Sequence, residues 1–384
     1  MEKILFVINN LYIGGIQRSL IELLQVIGNR YDITVFCINY TGDYRTQIPS
    51  GVKVIQGNDI VKNPELSLDE CRKRGLPSFF FHLFIKGWSK VFGRRFPAWL
   101  VCLLTGKVKG DFDYAISYAQ PSDSHQCISL TNEVVLYNVQ SKHKYSYVHC
   151  DYALYGGNTP YNHWLYTKFE KVAAVSNSVR LRFIDVLPDM TAKTVVVPNA
   201  CNINLIRSMS LDDPVTYDKI SLVSVSRLGP EKGLARCVRI FKQLVNDGFD
   251  FEWHIVGDGQ DRDMIESEIQ SANMAQYIKL EGMQSNPYRY MKNASCLFLP
   301  SFHEAAPMVF NEAACLGVPV LSTNTLSARE LVADRHLGVV CDNDESSLYA
   351  MLKSFLEGNM KDCRIMDEHI NDTVAKAFNS FCHD

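Results

Sequence analysis

The residues best suited to chemistry lie in Ser301-Phe302-His303-Glu304-Ala305-Ala306-Pro307-Met308-Val309-Phe310-Asn311-Glu312, followed by Ala313 to Leu316 and Gly317-Val318-Pro319-Val320. Glu304 falls in a loop after a predicted strand. Pro307 suits a first helical position, and Gly317 suits the turn that ends a helix. Glu304 would therefore stand beside a helix N-terminus, with Glu312 about one and a half turns into the helix. Uncapped amides near Met308 and Val309 would draw a phosphate. A second set, Ser226-Arg227-Leu228-Gly229-Pro230-Glu231-Lys232-Gly233, leaves another strand. An Arg and a Lys five positions apart can converge on a diphosphate, the Arg as a planar fork and the Lys as a mobile point charge. Taken alone, such a basic loop is more often merely solvated. A third set is Gly14-Gly15-Ile16-Gln17, between the first strand and a helix. Two small residues there let backbone approach a ligand. Neither this pair nor Gly257-Asp258-Gly259 completes the dinucleotide fingerprint, and no Walker sequence occurs.

The elements that must hold these loops read as alternating strands and helices. Strands are expected at Ile4–Ile8, Ile33–Ile38, Tyr114–Ser117, Val172–Val175 and Thr194–Val197, with a helix over Gln17–Ile27. Beyond Cys201 the order is strand Ile220–Val225, helix Leu234–Leu244, strand Glu252–Val256, helix Arg262–Ala272, strand Ile278–Leu280, helix Asn286–Asn293, strand Cys296–Leu299, helix Met308–Leu316 and strand Val318–Ser322. Strands this apolar, separated by helices, predict α/β domains whose parallel sheets are covered on both faces. A length of 384 residues suits two of them. The expected division is an N-terminal Rossmann-like domain over 1–200, a polar linker over 201–219, a C-terminal Rossmann-like domain over 220–360 and a closing helix over 361–384 that packs back on the first domain. In that arrangement the strand carboxyl ends would face a shared cleft.

Composition narrows the function classes. A chain 47% hydrophobic and 21% charged is neither disordered nor fibrous. A net charge of −3 argues against a general nucleic-acid binder. The 12 cysteines are scattered without a CxxC, which disfavours a disulfide scaffold or zinc cage and suits a reducing, cytoplasmic setting. The apolar run at 4–8 is too short for a secretory signal, and no stretch reaches the ~20 residues of a membrane span.

One segment departs from the average. From Cys71 to Gly110 there is no Asp or Glu, while nine Lys or Arg (72, 73, 74, 86, 90, 94, 95, 107, 109) interleave with eight Phe or Trp. Two readings stay open. In one, the segment lies on an anionic membrane surface, aromatics at the headgroup boundary and bases among phosphates. In the other, it is a helix pair with aromatics in the core and solvated bases.

Taken together, the glycine pair, Arg227 with Lys232, the two glutamates separated by seven residues and Gly317-Val318-Pro319-Val320 resemble family 4 of the retaining glycosyltransferases, which have the GT-B fold. Tyr147-Val148-His149-Cys150-Asp151-Tyr152 is similar to the His-x-Asp segment of bacterial capsule, O-antigen and lipopolysaccharide members, and Pro198-Asn199 to the pair before their domain crossover. Ala305, Ser226 and Gln17 depart from the common Gly, Gly and Glu. The resemblance implies a nucleotide-sugar donor and a glycan or lipid-linked acceptor, met at the inner face of the cytoplasmic membrane. It implies Arg227 and Lys232 on the diphosphate, Glu312 on the ribose, Glu304 orienting the transferred sugar, and His149 near the anomeric centre. Gly14, Gly15, Pro307, Met308 and Val309 would complete the donor site. No metal or other cofactor is expected. The Asp-x-Asp pairs 111/113, 261/263 and 342/344 read as chance among 42 acids. The alternatives are a catalytically weak GT-B scaffold subunit, or a phosphorylase or epimerase of the same fold.

Overall fold

Strand-forming runs that are apolar on both faces have one way to hide, inside a parallel sheet between helical layers. The computed structural model, which describes residues 1–121, 123, 125–359 and 369–384, builds two such sheets. The chain divides into unit 1, Met1–Ala200 with Asn371–Asp384, and unit 2, Cys201–Ile370.

Unit 1 holds β1 (Lys3–Ile8), β2 (Asp32–Cys37), β3 (Lys53–Gln56), β4 (Asp111–Ser117), β5 (Gln140–Val148), β6 (Lys171–Ala174) and β7 (Thr194–Val196). Their order is β3-β2-β1-β4-β5-β6-β7, with every pairing parallel. Ile4 to Ile8 are fully buried, in register with Ile33 to Cys37 on one side, and Ile4 to Val7 with Tyr114 to Ser117 on the other. The direction of sheet growth reverses between β1 and β4, so the loops after them open a crevice at their carboxyl ends. The helix Ile370–His383 returns to this unit. Phe378 packs against Phe6 and Tyr31, and Phe381 against Tyr145 and Tyr147. Residues 361–368 of the expected closing segment, and residue 360 of the expected C-terminal domain, lie outside the described residues.

Unit 2 holds β8 (Ile220–Val225), β9 (Phe251–Val256), β10 (Ile278–Gly282), β11 (Cys296–Leu299), β12 (Val320–Thr323) and β13 (Gly338–Cys341), in the order β10-β9-β8-β11-β12-β13. Its reversal falls between β8 and β11. Trp253, Phe241, Phe251 and Phe298 fill one face of the sheet, and Phe310 with the small side chains of the Met308–Leu316 helix fill the other.

Two sequence expectations need correction here. The stretch 201–219 is not a plain linker. It contains the helix Ile203–Ser210, capped by the Asn202 side chain on the Leu205 amide, with Ile206 buried in the core of unit 2. Its apolar positions are few and masked by Asn, Arg and Ser. Arg94, counted among the surface bases, is instead buried and ion-paired with the equally buried Glu133. An Arg so placed needs an acid to offset its desolvation, and that acid lies 39 positions away, beyond any local spacing.

Candidate functional site

The loops that leave β8 and β11 meet at the switch point of unit 2. Gly233 closes the basic loop with φ +63°, and a Cβ there would stand 2.4 Å from the Pro300 carbonyl oxygen. Only glycine allows that approach. The Glu231 carbonyl accepts from the Phe302 amide at 2.8 Å, so the basic loop and the Glu304 loop form one body. Gly257 plays a similar part behind them: its φ is +142° and a Cβ would lie 1.9 Å from the Ser226 carbonyl. The Gly257-Asp258-Gly259 segment is thus a packing surface for the basic loop, with Asp258 O accepting from the Leu228 amide at 3.0 Å.

On this platform Lys232 Nζ donates to Glu304 Oε1 at 2.5 Å, both side chains being largely buried, and Ser301 Oγ donates to the same oxygen at 2.9 Å. Arg227 points elsewhere. Its guanidinium is mostly exposed and reaches Glu231 Oε1 at 2.8 Å. Pro307 stands at the N-cap of the Met308–Leu316 helix, one position earlier than the sequence suggested, with φ −63° and ψ 127°. It has no side chain with which to cap the Met308 and Val309 amides. Gly317 ends the helix in the left-handed conformation expected of it. Glu312 is buried on that helix and accepts from Tyr288 OH at 3.2 Å.

Several supporting residues went unread in the sequence. Arg236 donates to Pro300 O at 2.8 Å and to Asn343 Oδ1 at 2.5 Å, and its guanidinium lies 3.9 Å over the Phe302 ring. Asn343 Nδ2 in turn donates to Ser301 O and Phe302 O. These contacts fix the backbone on which Glu304 rides. Arg335 donates to Asn311 Oδ1 at 2.9 Å beside Glu312. None follows from local spacing, since the partners lie 24 to 107 positions apart in the chain.

Gly14, Gly15 and His149 lie in unit 1, at its own switch point. Gly14 is extended and opens the Gly15–Ile27 helix without a side-chain cap. A Cβ on Gly15 would meet nothing within 4 Å. Ser19 Oγ donates to Asn199 Oδ1 at 2.7 Å and shares a 2.8 Å hydrogen bond with Tyr118 OH, tying the Pro198-Asn199 segment to that helix. His149 follows β5 and stacks on Tyr147 with ring planes 14° apart, against Tyr118. The residue keeps some exposure, yet its Nε2 is buried with no partner among the described residues. Asp151 does not orient it. That carboxylate accepts from Arg182 Nε at 3.1 Å and from the Ala153 amide.

Burial pushes the His149 imidazole down to about 3, opposed by a hydrogen bond with the Tyr118 backbone. The ring is therefore neutral in the folded protein at physiological pH. Because the unfolded chain takes up the proton near pH 6.5, stability falls as the pH drops from there toward 3. The loss from this group is about 2 kcal/mol between pH 6.5 and 5. Melting curves of wild type and His149→Gln across that range should differ in slope by this amount. Parallel slopes would mean His149 is protonated in the fold.

Two of the three Asp-x-Asp pairs have structural partners, and the third stands at a helix start. Asp113 pairs with Lys142 and the Lys3 amide, Asp344 caps a helix through the Ser347 amide, and Asp261 precedes the Arg262–Ser271 helix. Among the described residues no three His, Cys, Asp or Glu side chains gather as a metal site.

Comparison with known proteins covers both units. The model of the family described as "Glycosyl transferases group 1" matches residues 214–372. An uncharacterized glycosyltransferase of Methanocaldococcus jannaschii is 29% identical over 139 residues, 34% of either chain. An N-acetylgalactosamine-N,N'-diacetylbacillosaminyl-diphospho-undecaprenol 4-alpha-N-acetylgalactosaminyltransferase of Campylobacter jejuni is 30% identical over 190 residues, 48% of this chain and 50% of that one. The chain thus spans a third to a half of the length of these curated relatives. Among solved structures, Anabaena HepE in complex with UDP and glucose superposes with a TM-score of 0.66 at 17% identity, covering 99% of this chain and 100% of that one. The chain accordingly has the GT-B fold, and its segment 214–372 is the part that matches the group 1 glycosyl transferases.

Proposed function

We propose that the protein is a retaining glycosyltransferase that moves a sugar from a nucleotide-sugar donor to a glycan or lipid-linked acceptor in cell-surface polysaccharide biosynthesis, at the cytoplasmic face of the membrane. The observation that carries this reading is the Lys232–Glu304 pair at the switch point of unit 2, beside the uncapped amides of Met308 and Val309.

The pair suggests an exchange of partners. A donor diphosphate takes Lys232 away from Glu304, with the helix amides and Arg227 adding positive potential as charge grows on the leaving group. Glu304, relieved of its lysine but still held by Ser301, accepts hydroxyls of the sugar. Glu312 takes the ribose hydroxyls, exchanging its Tyr288 bond. Neutral His149 offers a hydrogen bond to the transferred sugar near its anomeric centre. No metal or cofactor is assigned a part. The named HepE complex with UDP makes uridine diphosphate sugars the first donors to try.

The test is thermal shift with a panel of sugar nucleotides, followed by transfer assays with and without a lipid-linked acceptor. Stabilisation by one nucleotide class and transfer only with acceptor are expected. Phosphate release or sugar isomerisation without acceptor would overturn the reading, as would indifference to every nucleotide.

Gly15 offers a second check. Alanine there meets open space and favours the helix by up to about 1 kcal/mol. Gly15→Ala should melt at or above wild type yet transfer at least about tenfold more slowly, because its methyl occupies the space of a ligand that the backbone must approach. Undiminished transfer would remove Gly15 from the site.

A further inference from the structure

The Leu76–Phe92 helix is inverted relative to an ordinary surface helix. Its buried stripe is His82, Ile85 and Ser89, and two of these three are polar. Both are satisfied locally: His82 Nδ1 lies 2.9 Å from Asn63 O, and Ser89 Oγ donates to Ile85 O at 2.7 Å. The outer face is apolar instead. Phe92 is 73% exposed, Val91 69% and Phe80 61%. The next helix, Arg95–Thr105, buries Pro97, Ala98, Val101 and Cys102 and turns Trp99 and Leu103 outward.

These exposed rings are not scattered. Phe84 lies 5.8 Å from Trp88, Trp88 lies 5.1 Å from Phe92 and 5.0 Å from Phe96, and Phe96 lies 5.9 Å from Trp99. A single exposed Leu or Phe needs no explanation, whereas a continuous aromatic ladder across two helices does. Of the two readings left open by the sequence, core packing fails for this face.

Charge decides what can cover it. No acid occurs between Cys71 and Gly110, and Lys90 and Arg95 are exposed on the same two helices, the Arg95 guanidinium lying 5.0 Å over the Trp164 ring. Arg94 is excluded, being buried with Glu133. A second copy meeting this face across a two-fold axis would bring bases against bases. Neither helix is long and apolar enough to cross a bilayer. We propose that this face docks the protein flat on an anionic bilayer, with the Phe84-to-Trp99 ladder at the headgroup–acyl boundary and Lys90 and Arg95 among the lipid phosphates. The inference deepens the acceptor reading above, but its test does not depend on transfer.

The full chain is co-sedimented with phosphatidylcholine vesicles, with and without phosphatidylglycerol, at low and high salt. Binding should require the anionic lipid at low salt and persist in part at high salt. Lys90→Gln/Arg95→Gln should bind about tenfold more weakly at low salt. Phe80→Ser/Phe84→Ser/Phe92→Ser should lose the salt-resistant part, because ring burial is not electrostatic. Both variants should keep the wild-type melting temperature and any nucleotide affinity. Equal binding to neutral vesicles, or none by wild type at low salt, overturns the proposal. So does a concentration-dependent dimer of wild type that the Ser variant abolishes, which would make a second copy the occupant.

Discussion

Glu304→Ala is expected to turn over at least about 10²-fold more slowly while binding nucleoside diphosphate as tightly as wild type, or more tightly. The two halves of that result follow from one contact. Lys232 is bonded to Glu304 at 2.5 Å, so deleting the carboxylate releases the lysine for phosphate. The same deletion removes the acceptor that would hold the sugar in its reacting orientation. Lys232→Ala should do the reverse, weakening nucleoside diphosphate by about 1.5–3 kcal/mol while leaving the free nucleoside almost indifferent. Glu312→Ala, on the helix behind, should mainly weaken donor binding. Titration calorimetry with the diphosphate and steady-state rates with the full donor separate these outcomes. If Glu304→Ala weakened the diphosphate as much as Lys232→Ala does, the exchange of partners would be wrong.

The other large effect is one of stability. Arg94 and Glu133 are both fully buried and bonded to each other. Removing one partner strands the other charge, at a cost of about 3–5 kcal/mol. Arg94→Gln should therefore unfold unit 1 at a markedly lower denaturant concentration, whereas Arg95→Gln, one residue on and exposed, should be nearly silent. The double change Arg94→Met/Glu133→Leu should recover most of the loss, because apolar residues of similar size need no partner there. An equal, small effect at 94 and 95 would show that the pair is wet.

These two sites also mark where the sequence was legible. Glu304, Lys232 and the helix behind them could be placed because each sits within a few residues of a strand end, and strands such as Cys296–Leu299 are unbroken apolar runs. Their joining into a single contact was not legible in the sequence, since 72 positions separate them. β5 escaped direct reading. Its first half is polar and partly exposed, and its buried half, Tyr145 to Val148, mixes Tyr and Ser with only one aliphatic side chain. Arg94 was misread because its neighbours Lys90 and Arg95 are surface bases. Nothing in local composition shows that Arg94 has an acid waiting across the fold. The same blindness hid Arg236 and Asn343, whose work is to hold the backbone under Glu304.

The return of the Ile370–His383 helix to unit 1 sets an order on the birth of the molecule. Phe378 and Phe381 complete a core built around Phe6, Tyr31, Tyr145 and Tyr147, yet the ribosome delivers them only after the whole of unit 2. At synthesis rates of roughly 5–20 residues per second, unit 1 waits on the order of ten seconds or more with these aromatic surfaces unsealed. Unit 2, continuous from Cys201 to Ile370, has no such delay and is free to finish first. The nascent first unit is therefore the natural client of chaperones. A stop codon just before residue 371 should release chains whose second unit melts normally while the first is digested by protease.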